Sequence, residues 1–148
     1  MMGALLQVED LHVSYRSPGR RVVEAVRGVT FEVARGRCLG VVGESGCGKS
    51  SLARAILGLE ERVTGRVVFD GREVLSLGRA QRMAFRRRAQ IVFQDPMGSL
   101  NPRMKVGAAL AEVQRVHGLA ASHRAAEDQV ADWLQTVGLD AAYARRFP

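Results

Sequence analysis

Three glycines, three serines and a lysine fall within nine consecutive residues, Gly43-Glu44-Ser45-Gly46-Cys47-Gly48-Lys49-Ser50-Ser51. Glycine at 43, 46 and 48 lets the backbone take positive φ and approach a ligand closely, so successive N–H groups can converge on anionic oxygens. Lys49 adds a mobile ammonium, and the Ser50 hydroxyl is of the type that ligates magnesium. The spacing is G-x-x-x-x-G-K-S, the phosphate-cradling P-loop, and the ligand it implies is ATP or GTP with Mg²⁺. The plainer alternative is a glycine-rich turn carrying a surface lysine.

Such a loop needs a strand before it and a helix after it. The apolar run Cys38 to Val42 is expected to be a buried strand, and Lys49 to Leu57 a helix whose N-terminus adds unpaired N–H groups and a favourable dipole. Gly58 is placed to close that helix. Before the loop, Leu5 to Tyr15 reads as a strand ending in the turn Arg16-Ser17-Pro18-Gly19, and Val22 to Val33 as a second extended stretch. The first 35 residues are thus expected to form an antiparallel flap beside a nucleotide-binding core.

After the loop, Thr64 to Gly71 is expected to be a strand running into an Asp70-Gly71 hairpin turn, with a return strand at Glu73-Val74-Leu75. An apolar run ending in Asp also resembles a magnesium-holding strand. The following glycine and the closeness to the first helix favour the turn. Gly78 to Arg88 is expected to be a basic helix with a solvated face. Ala89 to Phe93 is an apolar stretch expected as a strand that stops at Gln94, with Pro96 blocking its continuation. Gln94 then lies at a sheet's carboxyl edge, where α/β proteins hold ligands. Spacing alone leaves it open whether Gln94 ligates or merely ends a strand. From Asn101-Pro102 onward the pattern is helical. Val106, Leu110, Val113 and Val116 share a face before Gly118. A second helix capped by Ser122 carries Ala126, Val130, Trp133, Leu134 and Val137 before Gly138. Trp133 reads as core, and Asp140 to Arg145 as the start of a third helix.

Composition narrows the class. At 47% apolar and 25% charged, 148 residues suit a globular chain with a sizeable core. Apolar runs are far too short to span a membrane, and the N-terminal residues lack the basic region of a secretory leader, so the chain is expected to be soluble and intracellular. Cys38 and Cys47 make no disulfide framework, and His12, His117 and His123 have no metal-like spacing. The formal charge of +7 invites a nucleic-acid reading. Twenty of the 22 basic residues are Arg, scattered along the chain with few aromatics, which favours an ordinary solvated surface.

The run Gly43 to Ser51, the phrase Ile91-Val92-Phe93-Gln94-Asp95-Pro96-Met97-Gly98-Ser99-Leu100-Asn101-Pro102, and Tyr15 at the end of the first strand together resemble the ATP-binding subunit of ABC transporters. The second phrase is similar to the oligopeptide, dipeptide and nickel importer branch. The resemblance implies an α/β P-loop NTPase core of the ABC ATPase type. It has an N-terminal antiparallel β flap and the beginning of an α-helical subdomain, and the C-terminal half of the cassette is absent. In that reading residues 1–100 are the flap and ATP-binding core and 101–148 the start of the helical subdomain. Gly43, Glu44, Ser45, Gly46, Cys47, Gly48, Lys49, Ser50 and Ser51 hold ATP, and Tyr15 stacks on adenine. Ser50 and Gln94 serve magnesium, and Lys49 and Gln94 are the catalytic candidates. Partners implied are membrane permease subunits, which Asp95 to Met104 would help dock, a second ATPase subunit forming a dimer, and indirectly a solute-binding protein. The place implied is the cytoplasmic face of the membrane, and no nucleic acid is expected. The family's signature loop, Walker B carboxylates and switch histidine would lie beyond Pro148. A non-catalytic nucleotide-binding fragment and a soluble cassette ATPase acting on nucleic acid are the alternatives.

Overall fold

Strand β1 (Ala4–Arg16) runs through the core, with Val8, Leu11 and Val13 fully enclosed. It earns that position by pairing on both edges, antiparallel to β2 (Val22–Ala34) and antiparallel to β3 (Val63–Phe69). The hairpin strand β4 (Arg72–Glu73) completes a sheet of order β2-β1-β3-β4. Register aligns apolar columns across three strands: Val8 faces Phe31 and Val67, and Val13 faces Val26 and Val63. Cross-strand pairs of β-branched and aromatic residues are the unit of sheet stability. The expected flap is therefore present, and β3 belongs to it as well. The computed structural model describes residues 3–16, 19, 21–95 and 98–148. Ser17 and Pro18 of the expected first turn, and Pro96 and Met97, lie outside the described residues.

Helix α1 (Lys49–Ile56) lays Leu52 and Ala55 against this sheet, and α2 (Arg79–Arg86) adds Phe85 to the same core. Burying a side chain such as Leu52 or Phe85 contributes roughly 1.5–3 kcal/mol. Phe85 meets Phe69 edge to face, with ring centroids 5.3 Å apart. The Asp70-Gly71 hairpin forms as expected, with φ of 50° and 76°, the left-handed pair that a two-residue turn between twisted strands requires. Its return strand stops at Glu73, and Val74 turns into the core. The Asp70 carboxylate accepts hydrogen bonds of 2.7 Å from both Arg35 and Arg88. The Arg88 hydrogen bond, aided by Arg35, holds its pKa below the usual carboxylate value. The turn is thus locked by two guanidiniums.

Two expected strands are absent. Residues 38–42 and 89–93 are not hydrogen-bonded into any sheet, and Val42 and Val92 are 94% and 96% exposed. An apolar run signals a buried strand only if another strand is there to take its N–H and C=O groups, and no described residue plays that part.

The chain divides into two compact units, Met1–Ile91 and Val92–Pro148. In the second, α3 (Val106–Val116), α4 (His123–Thr136) and a 3₁₀ turn (Ala141–Arg145) pack around Ala111, Ala126, Val130 and Leu134. Ser122 caps α4 as expected, its hydroxyl accepting from the Ala125 N–H at 3.1 Å. In α4 Ala126, Val130 and Leu134 are buried as expected, while the other residues of the expected faces are not. Val113 and Val116 are exposed, Trp133 is 37% exposed and Val137 70%, whereas Gln114 is fully buried and donates to the Ala126 carbonyl. Small residues explain the shift, because Gly107 and the alanines let backbones approach closely. A Cβ on Gly107 would sit 2.8 Å from the Ala144 carbonyl oxygen. Helices α1, α3 and α4 all end alike, at Gly58, Gly118 and Gly138. In each case the next residue's N–H bonds back to a carbonyl five residues earlier, the Schellman closure.

Candidate phosphate-binding site

The loop 43–48 is built by what stands behind it. Gly48 caps α1 with φ 100°, which places the chain against β2. A Cβ there would lie 2.1 Å from the Ala25 carbonyl oxygen, so only glycine fits. The close approach sets where α1 begins. No side chain caps that end of the helix, and Leu52 is the first residue whose N–H reaches back into the turn, to the Gly48 carbonyl. The N–H groups before it have no partner within the helix and carry the positive end of the dipole.

Lys49 folds back over its own loop. Its ammonium donates to the carbonyls of Gly43 at 2.8 Å and Glu44 at 2.6 Å, and lies 3.5 Å from the Cys47 sulfur. Cys47 closes the turn from the other side, its N–H reaching the Glu44 carbonyl. Gly43 is less constrained than Gly48, since a Cβ there would meet only the Cys47 side chain, its sulfur at 2.7 Å, and that side chain can turn away. Ser45 and Gly46 form the exposed tip, and exposed Ser50 sits in the first turn of α1. From the end of β1, the Tyr15 hydroxyl donates to the Ser51 hydroxyl at 3.0 Å, fixing the ring beside the helix start.

The structure thus brings together Tyr15, residues 43–49, Ser50 and Ser51. Gln94 belongs to the second unit, where it is exposed. Neither cysteine is in a disulfide. A cavity of about 550 Å³ borders the loop itself, lined by Gly46, Cys47, Gly48 and Lys49 together with Val26 and Val42. Tyr15, Ser50 and Ser51 do not border it. Chemically, the loop offers a cation, unpaired amides and hydroxyls with a single carboxylate, Glu44, which makes no ion pair among the described residues. That donor set suits a ligand with several anionic oxygens, and Ser50 is free to share such a ligand's cation. Ala25 is the participant that sequence reasoning missed. It acts through a backbone carbonyl some 20 residues away, which no local pattern could signal.

The ABC transporter family matches residues 26–148, most of the chain. The chain therefore belongs to the ABC transporter family. It is 40% identical over 144 residues to the putative oligopeptide transport ATP-binding protein YkfD of Bacillus subtilis, covering 97% of this chain and 44% of that one. It is 39% identical to the oligopeptide transport ATP-binding protein OppF of Escherichia coli, covering 97% of this chain and 46% of that one. The chain spans about half the length of these relatives. Among solved structures, the dimeric ATP-binding cassette MJ0796 bound to ADP and Pi superimposes with a TM-score of 0.76 at 20% identity, over 97% of this chain and 61% of that one. The fold is the α/β fold of ABC cassettes, about half of one. No helix among the described residues is long and apolar enough to cross a membrane.

Proposed function

We propose that this chain is part of the ATP-binding, energy-coupling subunit of an ABC importer for peptides or similar small solutes. The observation that carries the reading is the inward-folded Lys49 ammonium, held by the Gly43 and Glu44 carbonyls at the start of an uncapped helix. A triphosphate would exchange those carbonyls for charged oxygens, a stronger hydrogen bond for the same donor. The names of the relatives support the peptide class.

In this reading residues 43–51 wrap the phosphates, Lys49 contacts the outer two, and Tyr15 stacks on adenine from the end of β1. Ser50 and Gln94 hold Mg²⁺, which when bound would neutralise phosphate charge. Gln94 also relays nucleotide state to permease subunits, with Asp95 to Met104 as part of the docking segment. Residues 1–100 and 101–148 are the flap with ATP-binding core and the start of the helical subdomain of one cassette. It works as a dimer on the cytoplasmic membrane face, indirectly served by a solute-binding protein. The test is ATP affinity measured with and without magnesium for wild type and Ser50→Ala. The reading expects a magnesium-dependent gain that the variant loses. An affinity indifferent to magnesium and to Ser50 would oppose it. Phosphate release measured alongside separates a turning-over ATPase from a chain that only binds.

A further inference from the structure

We infer that the arginine face of α2 is a docking surface for an anionic phospholipid bilayer, a role separate from the phosphate loop. From Val74 to Gln94 the sequence contains five arginines, at 79, 82, 86, 87 and 88, and no acidic residue. The structure sorts them. Arg88 is committed to Asp70 and lies over the Phe69 ring, and half-buried Arg82 caps the Leu77 carbonyl. Arg79, Arg86 and Arg87 are exposed and make no ion pair or hydrogen bond among the described residues, and neither does exposed Arg72 on the adjoining strand β4.

Three guanidiniums within one eight-residue helix and its C-cap repel one another unless an anion covers them. A face of unpaired arginines also resists burial in a protein interior, where each charge would need its own partner. The apolar side of α2 is already used, since Phe85 is in the core. The helix therefore offers charge without an inserting wedge, which suits a headgroup plane and not an acyl layer. Guanidinium forks match phosphate oxygens in pairs. Single-stranded nucleic acid is the less suited polyanion, because recognition there relies on exposed aromatic stacking platforms, and the one aromatic of α2 is buried. The choice of a bilayer over other phosphate-bearing surfaces draws on the proposed membrane-peripheral function.

The experiment is co-sedimentation of the full chain with vesicles of phosphatidylcholine alone and of phosphatidylcholine containing phosphatidylglycerol. The expected result is binding only to the anionic vesicles, released by high salt. Each arginine near a charged surface contributes roughly fivefold. The triple variant Arg79→Gln/Arg86→Gln/Arg87→Gln should bind on the order of 100-fold more weakly. The control Arg21→Gln/Arg115→Gln/Arg124→Gln removes the same net charge elsewhere and should bind nearly as wild type. Equal loss in both variants would overturn the inference by showing that net charge alone is responsible. So would unchanged binding of the α2 variant, or tighter binding to single-stranded RNA than to the vesicles. Far-ultraviolet circular dichroism and ATP affinity of the α2 variant, both expected unchanged, keep this outcome separate from the fate of the nucleotide reading.

Discussion

Val8 and Val42 are the same residue type in the same compact unit, yet one is fully buried and the other 94% exposed. The difference is pairing. Val8 has a strand on either side of it, β2 through Phe31 and β3 through Val67. Val42 ends an apolar run that pairs with no strand among the described residues. Hydrophobicity thus decides what would be buried, and available backbone partners decide what is. The phosphate loop stands on that boundary. Its front end follows the unpaired run 38–42, and its rear is fixed by Gly48 against Ala25 and by α1 against the sheet. The loop is held by its C-terminal side.

The largest expected effect sharpens this contrast. Leu11→Ala removes a fully buried side chain from the doubly paired strand and should cost about 3 kcal/mol in urea unfolding. Val42→Ala should change stability by less than about 0.5 kcal/mol. Comparable losses would mean that 38–42 is packed after all. Next in size is Gly48→Ala, which drives a Cβ toward the Ala25 carbonyl at a φ of 100°. Strain of this kind costs on the order of 1–3 kcal/mol, so the unfolding midpoint should fall clearly, and an unchanged midpoint would show that the loop is not anchored there.

Much of this was legible beforehand, and what was not has identifiable causes. The flap strands could be read because each carries its own alternating pattern and finds its partners within the chain. The Asp70-Gly71 turn and the three helix-ending glycines were equally local. The strands at 38–42 and 89–93 were misread because an apolar run does not specify its neighbour. In α3 the valines outweighed the alanines in the pattern, yet closeness of approach favoured the small residues and buried Gln114 instead. At the site, the donor types and their spacing were visible. The Ala25 backstop and the Tyr15–Ser51 hydrogen bond join residues far apart in sequence and required coordinates.

Two smaller effects probe the edges of the anchored region. Tyr15→Phe deletes the hydrogen bond to Ser51 while keeping the ring, and should cost about 1 kcal/mol of stability. No change would show that the tyrosine is not tied to the helix start. Asp70→Asn keeps a side chain that tolerates positive φ but removes the charge shared by Arg35 and Arg88. The folded pKa of Asp70 is lowered, so its stabilisation is present above the ordinary value of 3.8 and is lost as pH falls through the folded value. Wild type and variant should therefore differ slightly at neutral pH and converge in acid. A gap that stays constant or widens as pH falls well below 3.8 would contradict the assigned pairing.

The central claim is that residues 43–51 hold a triphosphate through the Lys49 ammonium. Calorimetric titration of the full chain and its Lys49→Ala variant with ATP and magnesium tests it directly. The account predicts that wild type binds and that the variant, with an unchanged unfolding midpoint, binds at least about tenfold more weakly, a loss of roughly 1.4 kcal/mol. Equal affinity in the two proteins would contradict it.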